Sequence, residues 1–179
     1  MQWPQALASY DAALALAPDF AEAWSNRGVA LKNMARLEAS LESHERALAI
    51  RQYYAEAWTN RGVVLRQLNR PAEALASYDR ALGLSPVSAL SHVNRGNALV
   101  RLGRCGEALP MFARAQALNP DFAEAHWSES LCRLRMGEMP KGWEKYEWRW
   151  RVRPETARAF ASPLWLGGES LAGKSILLH

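Results

Sequence analysis

The sequence contains little cysteine and no long apolar run. Only Cys105 and Cys132 occur among its 179 residues, and their spacing fits neither a metal-ligand set nor a CxxC motif. Both are predicted to be reduced, small apolar residues, and no metal or other cofactor is expected. Because no stretch of about 18 apolar residues is present, no membrane partner is predicted. The N-terminus lacks the basic start and apolar core of a secretory signal, which predicts a cytoplasmic location.

A concentration of charge of one sign is also absent. The formal net charge is +4 and the pI is about 9.3, with Lys and Arg scattered along the chain rather than grouped. A scattered excess is typical of a solvated surface, so no nucleic-acid partner is predicted. The hydrophobic content of 49% is, by contrast, sufficient for a buried core.

Groups that carry catalysis are not clustered in the sequence. The four histidines lie far apart, and no carboxylate pair, nucleophile–base set or metal cluster is apparent. Residues 168–175, GESLAGKS, match the phosphate-loop pattern, but that loop requires a buried strand before it and a helix after it. Here a loop with proline and glycine precedes the motif and the strand-like SILLH follows. No enzyme is therefore predicted within these residues, and any catalytic domain is expected beyond His179.

The dominant feature is a repeat of 34 residues. Residues 21–54 and 55–88 are identical at 15 of 34 positions without a gap. The same spacing relates further residues that we predict to be structural positions of each unit: Trp24 and Trp58, with His92 and His126 in the equivalent place; Gly28, Gly62 and Gly96; Ala74 and Ala108; Tyr78 and Phe112; and Pro86 and Pro120.

Each unit contains two amphipathic stretches, as in 21–34 and 38–51, which are predicted to be helices joined by a short polar turn. The mid-helix glycine costs about 1 kcal/mol relative to alanine, and we interpret it as room for the backbone of another helix. The small alanine would permit the same crossing, the aromatic would fill the space beside it, and the proline would end the unit. One helix pair cannot bury its own apolar face, so the units must stack.

This order of Trp, Gly, Leu, Ala, aromatic, Ala and Pro resembles the tetratricopeptide repeat, from residue 1 to about 154. The resemblance implies an all-α fold, a right-handed α-solenoid of about four and a half helix-turn-helix units. The predicted units are 1–20 (partial), 21–54, 55–88, 89–122 and 123–154. The last is atypical, because Glu129, Ser130 and Arg133 replace the Arg, Gly and Leu of earlier units. The partial first unit leaves an apolar helix face uncovered around residues 4–17, either because the chain is a fragment or because another chain covers it.

Three asparagines, Asn26, Asn60 and Asn94, recur in one register. In a tetratricopeptide array the first helix of each pair lines the concave surface, so their carboxamides are expected to form a row. The row resembles the asparagine ladder of O-linked N-acetylglucosamine transferases, which implies hydrogen bonds to the backbone of an extended peptide. The alternative is that these asparagines cap or brace neighbouring helices. The other predicted groove residues are Val29, Val63 and Asn97, with the cations Lys32, Arg66 and Arg101.

The groove cations have two interpretations. They would favour acidic peptides if they are free, or they are paired or solvated near Glu22, Glu56 and Glu124.

The sequence changes character after Pro140. GWEKYEWRW and PLWLGGESLAGKSILLH resemble the junction of bacterial proteins that join tetratricopeptide repeats to a glycosyltransferase-type domain. Residues 155–179 are accordingly predicted to be a linker and the first strand of a truncated following domain. A helix is expected near 140–151, its tryptophans packed in the core and Arg149, Arg151 and Arg153 stacked on them.

Three functions remain open from sequence. The first is a scaffold that binds a peptide or protein segment in its concave groove, as the recruiting region of a larger protein of glycosyltransferase type. The second is a structural array that self-associates, as a homo-oligomer, through its uncovered N-terminal helix. The third is a fragment of a nucleotide-sugar-dependent glycosyltransferase.

Overall fold

The computed structural model describes residues 2–153, which form ten α-helices and contain no strand. None of these helices is long and apolar enough to cross a membrane. The predictions for the tail, including GESLAGKS and its strand, lie outside the described residues. The helices are α1 (Trp3–Leu16), α2 (Ala21–Asn33), α3 (Leu37–Ile50), α4 (Ala55–Gln67), α5 (Pro71–Leu84), α6 (Ala89–Arg101), α7 (Cys105–Leu118), α8 (Ala123–Arg135), α9 (Met139–Tyr146) and α10 (Arg149–Val152).

The helices stack in pairs. The closest packing is within α2/α3, α4/α5, α6/α7 and α8/α9, and each pair also packs on the next one. The first helices α2, α4, α6 and α8 contact one another in sequence, whereas contacts between successive second helices are weak or absent among residues 2–153. The stack therefore curves toward its first helices, which form the concave side. This arrangement confirms the predicted all-α solenoid.

The mid-helix glycines allow an aromatic ring, not a helix backbone, to approach. A Cβ built on Gly62 would lie 2.5 Å from the ring of Tyr78, and one on Gly96 would lie 2.5 Å from the ring of Phe112. Both rings are fully buried. The interpretation that these glycines make room for a neighbouring backbone is therefore wrong. The small residue on the second helix does mark the close crossing, since Ser40 Oγ donates to the Gly28 carbonyl at 2.7 Å.

His44 occupies the aromatic position of the unit formed by α2 and α3. Its ring lies 2.6 Å from where a Cβ of Gly28 would be, and the side chain is fully buried. Neither ring nitrogen has a hydrogen-bond partner among the described residues. Burial, with smaller contributions from the cations Lys32 and Arg61, lowers the pKa of His44 to about 4. The ring is consequently neutral and acts as a packing group.

Each turn between the two helices of a unit has one residue in the left-handed conformation. These residues are again 34 apart: Ala35 (φ 58°), Asn69 (φ 57°), Gly103 (φ 78°) and Gly137 (φ 81°). The next residue donates its N–H back across the turn, as from Arg70 to the Leu65 carbonyl at 2.9 Å. This hydrogen bond satisfies one of the free carbonyls at the helix end.

Arginines on the first helices connect neighbouring units. Arg27 Nε bonds Asp11 at 2.7 Å on α1, and Arg95 Nε bonds Asp79 at 2.6 Å on α5. Arg61 reaches both ways, to Glu45 at 2.9 Å and to Ser77 Oγ at 2.8 Å. Each arginine thus joins its own unit to the preceding second helix.

The last unit has a different contact at this position. Glu129 takes the arginine's place and is 4% exposed. It accepts from Lys145 Nζ at 2.6 Å, Gln116 Nε2 at 2.6 Å and Arg133 Nε at 2.7 Å. Burial acts to raise its pKa, but these hydrogen bonds outweigh burial and hold the pKa below its usual value. Two of the three predicted atypical residues, Glu129 and Arg133, therefore belong to one ionic cluster, whereas the buried hydroxyl of Ser130 has no hydrogen-bond partner among the described residues.

The C-terminal tryptophans are only partly buried. Trp148 stacks on His126 with ring centroids 4.0 Å apart, and Arg151 lies 4.4 Å above Trp148. Trp143 is 57% exposed, so the prediction that it packs in the core is wrong. The helix predicted at 140–151 is divided, because α9 ends at Tyr146 and α10 begins at Arg149. Glu147 between them accepts from Arg149 and from Trp150 Nε1, at 2.7 Å each.

The face of α1 that would meet a first helix is partly open. Tyr10 is half-buried, whereas its equivalents Tyr78 and Phe112 are fully buried. Ala6 and Ala13 on the same face are also only half-buried.

We expect Gly62→Ala to lower the free energy of unfolding by about 1–2 kcal/mol, because the clash with Tyr78 outweighs the gain in helix propensity. Gly83→Ala is the matched control, since a Cβ there meets no atom within 4 Å. It should raise the free energy of unfolding by up to about 1 kcal/mol. Urea denaturation followed by circular dichroism measures both, and equal effects of the two substitutions would refute the ring-on-glycine contact.

We expect stability to fall with acid through His44. Its pKa is about 4 when folded and about 6.5 in an unfolded chain, so only the unfolded state binds this proton between those values. Its contribution is complete above pH 6.5, and about 2–3 kcal/mol is lost by pH 4.5. In His44→Phe, which copies Phe112, the loss over this range should be smaller by that amount. Urea denaturation at pH 7.5 and 4.5 tests this, and identical losses in both proteins would contradict it.

Candidate functional site: the concave face of the first helices

A repeated hydrogen bond orients each first helix. Trp24 Nε1 donates to the Pro18 carbonyl at 2.8 Å, and Trp58 Nε1 donates to the Gln52 carbonyl at 2.8 Å. His92 Nε2 and His126 Nε2 lie 3.0 and 2.7 Å from the equivalent carbonyls of Pro86 and Pro120. Histidine thus replaces tryptophan at the same contact, which confirms its predicted structural role. Gln52 also shows that the turn forms without its proline.

The predicted asparagines lie one per unit on successive first helices, and we call Asn26, Asn60 and Asn94 the Asn row. Their exposure decreases along the stack: Asn26 is exposed, Asn60 is half-buried and Asn94 is only 6% exposed. None of the three side chains makes a hydrogen bond within residues 2–153. The row therefore neither caps nor braces helices in the described part of the chain.

One polar group of the Asn row is buried and unsatisfied within the described part of the chain, and it belongs to Asn94. Its Nδ2 is buried and has no hydrogen-bond partner among the described residues. A buried amide left unsatisfied costs roughly 1–3 kcal/mol. Because an apolar residue at this position would avoid that cost, the fold alone gives no reason for the asparagine.

The remaining predicted groove residues lie on the same three first helices. Val29, Val63 and Asn97, three residues after each asparagine, are all half-buried. Lys32 and Arg66 lie one turn further on, are half-buried, and form no ion pair within the described residues. Arg101 differs, because it is exposed and its Nη2 donates to Asn69 Oδ1 at 3.0 Å.

The nearby glutamate does not neutralise the groove cations. Glu22 accepts from Arg51 Nη2 at 2.5 Å, and this hydrogen bond is the main cause that lowers its pKa. Lys32 and Arg66 therefore give this face two cations without an ion pair, beside Glu56 and Glu124, which form no ion pair either within residues 2–153.

A polar contact between first helices was not predicted. Thr59 Oγ1 on α4 lies 3.1 Å from Ser91 Oγ on α6. Ser88, the N-cap of α6, accepts from the Ser91 N–H at 3.2 Å. No sequence signal distinguishes these residues from ordinary surface hydroxyls, because their pairing depends on the spacing between units.

The far end of the concave face is closed by aromatic and charged groups. Ser128, in the fourth place of the row, is 9% exposed. The Nε1 of Trp127 beside it is buried and without a hydrogen-bond partner in the described region. Arg153, after α10, lies 5.2 Å from the centroid of the Trp127 ring. The accessible side chains of the row therefore lie on α2 and α4.

Solved structures with the same fold are numerous, and we describe three. MamA residues 41 to the end, from Desulfovibrio magneticus RS-1, superposes with a TM-score of 0.77 at 17% identity over 87% of this chain and 88% of that one. YrrB, described as a TPR protein with an unusual peptide-binding site, superposes with a TM-score of 0.72 at 24% identity over 87% of this chain and 80% of that one. PilW, described as a type IV pilus biogenesis factor, superposes with a TM-score of 0.76 at 28% identity over 87% of this chain and 72% of that one.

Family models cover most of the described residues. Models of the tetratricopeptide repeat match residues 21–54, 55–86 and 93–146, and a TPR repeat model matches residues 2–34. No curated protein matches the chain. With the paired helices, the glycine–ring contact and the 34-residue register, these matches show that the chain belongs to the tetratricopeptide repeat family.

Proposed function

We propose that the concave face of α2, α4 and α6 binds an extended segment of a partner protein through the Asn row. The observation that carries the proposal is that the row recurs in register while none of its side chains forms a hydrogen bond within residues 2–153. A carboxamide offers both a donor and an acceptor. Evenly spaced carboxamides therefore suit the alternating N–H and C=O groups of a peptide, whatever its side chains.

The graded exposure suggests how such a segment would bind. Asn26 and Asn60 are accessible before a ligand arrives, whereas Nδ2 of Asn94 is covered. Rotation of the Asn94 side chain toward a ligand would satisfy an amide that is otherwise orphaned. Relief of that cost would add to the affinity.

The free cations specify the charge of the ligand. Lys32 and Arg66 lie on the same helices as Asn26 and Asn60, one to two turns further on, and form no ion pair within residues 2–153. Acidic segments are therefore favoured, mainly through faster association. YrrB, with its described peptide-binding site, supports peptide binding on this fold, although the likeness to it extends to the fold alone.

The same proposal makes the array the recruiting region of a larger protein with a glycosyltransferase-type domain. Its support is the resemblance of the sequence after Pro140 to the junction in such proteins. A segment captured on the concave face would then be held near that domain.

The decisive experiment removes the carboxamides. A ligand is selected from a random peptide library against the wild-type chain and its dissociation constant is measured by fluorescence anisotropy. Asn60→Ala and Asn94→Leu should each weaken binding about three- to tenfold, since one hydrogen bond is lost each time. The free energy of unfolding of Asn94→Leu should stay equal or rise, because an unsatisfied amide is removed. Gln5→Ala, which removes an exposed carboxamide from α1, is the control and should bind normally.

The opposite result would show that the asparagines do not contact the peptide. If Asn60→Ala and Asn94→Leu bind the peptide as tightly as the wild type, the Asn row is not the binding element. A copy of the peptide methylated on alternate backbone nitrogens should also bind weakly, because it lacks the N–H groups that the row would accept.

The charge preference makes a separate prediction. For an acidic ligand, raising NaCl from 0.05 to 0.5 M should weaken binding, since exposed charges are screened over a shorter distance. The Lys32→Ala/Arg66→Ala double variant should bind more weakly at low salt and lose most of this salt dependence. Arg46→Ala, an exposed cation on α3, should retain it. An unchanged salt dependence in the double variant would show that these two cations do not face the ligand.

A further inference from the structure

A cavity of about 400 Å³ opens at the edge of the stack, where the loop between α3 and α4 meets the second half of α5. Its walls are formed by the side chains of Tyr53, Trp58 and Leu84 and by Gly83, with Asp79 and Arg80 also in its lining. None of these residues belongs to the Asn row or to its neighbours on the concave face. The cavity is therefore a separate feature of the surface.

Two positions of the lining, those of Tyr53 and Gly83, have different residues in the other units. Where this loop has Tyr53, the first and last loops have Asp19 and Asp121. Where α5 has Gly83, the other second helices have alanine, at Ala15, Ala49 and Ala117. A glycine within a helix costs about 1 kcal/mol relative to alanine. Packing does not require it here, since a Cβ on Gly83 would meet nothing within 4 Å. The glycine instead widens the cavity.

The walls combine apolar and polar surface and include one cation without an ion pair among the described residues. Tyr53 is 74% exposed and Leu84 is 39% exposed. The Gln52 carbonyl at the floor is taken by Trp58 Nε1, and the Asp79 carboxylate is taken by Arg95 Nε at 2.6 Å. Arg80 is exposed and has no ion pair or hydrogen bond from its side chain within the described residues. A ligand entering here would meet aromatic and aliphatic surface beside a single unpaired cation.

We propose that this cavity is a second binding site, which takes a protein segment with a large apolar side chain adjacent to an acidic residue. The volume lies at the small end of ligand sites. It suits one large side chain packed against Tyr53, Trp58 and Leu84, with a carboxylate beside it facing Arg80. Tyr53 supplies a rigid aromatic surface of the kind enriched where proteins bind each other. The site is independent of the groove and does not rest on it.

Two capped peptides test the proposal by NMR titration of the ¹⁵N-labelled chain: acetyl-Gly-Phe-Glu-Gly-amide and the same peptide with Lys in place of Glu. The Glu peptide should shift the Trp58 indole and the Tyr53 and Gly83 amide signals in a saturable way, and it should bind more tightly than the Lys peptide. Arg80→Ala should weaken the Glu peptide up to about fivefold, the range of an exposed ion pair. Arg80→Glu should reverse the preference between the two peptides.

Gly83→Leu fills the cavity with a residue that favours helix, so the fold should be retained and the binding of both peptides lost. Asn60→Ala should leave both titrations unchanged, which separates this site from the groove. The proposal is overturned if neither peptide binds, if the two bind equally, if the shifts persist in Gly83→Leu, or if they fall on the Asn row instead.

Discussion

The contact between a mid-helix glycine and the aromatic ring sixteen residues later sets the geometry of every complete unit from α2 to α7. The ring lies where a Cβ would be, so the two helices can approach only if the first one has no side chain there. The same contact recurs at Gly28, Gly62 and Gly96 with three different rings. Because the spacing within each pair is the same, equivalent residues of successive units fall into rows. The rows of arginines and asparagines both depend on this repetition.

The arginine row shows how the stack is joined and where the pattern changes. In three units an arginine binds an acidic residue of the preceding second helix. In the last unit Glu129 replaces the arginine, and the residues that would have been its acidic partner and its serine are Ala113 and Lys145. The ion pairs of Glu129 lie within its own unit, with Arg133 and Lys145, and its link to the preceding second helix is the hydrogen bond from Gln116.

The fold was predictable because the same sequence pattern recurs in four units. Helix bounds, the glycine positions and the equivalence of His92 and His126 to tryptophan followed from the 34-residue register. What could not be predicted depends on distances between side chains of different units. The neighbour of each glycine was misassigned because periodicity gives a position and not the atom facing it. His44 in the aromatic position was missed because its chemistry differs from that of Tyr78, although its spacing is the same. The pairing of Thr59 with Ser91 has no sequence signal at all.

The candidate sites are the places where the repeat or the fold leaves chemistry unused. The tryptophans and histidines of the first helices, the arginines and the buried rings are all engaged in contacts of the stack. The Asn row is repeated as faithfully as they are, yet its carboxamides form no hydrogen bond among the described residues. The cavity lined by Tyr53 and Gly83 is the opposite case. These two residues depart from the repeat, yet the Tyr53 side chain forms no hydrogen bond among the described residues and a Cβ on Gly83 would meet nothing within 4 Å. The asparagines keep the register of the repeat but form no hydrogen bond within residues 2–153, and Tyr53 and Gly83 leave the register although packing does not need them. Packing within the fold explains neither set of residues. The two binding sites proposed above would explain both sets.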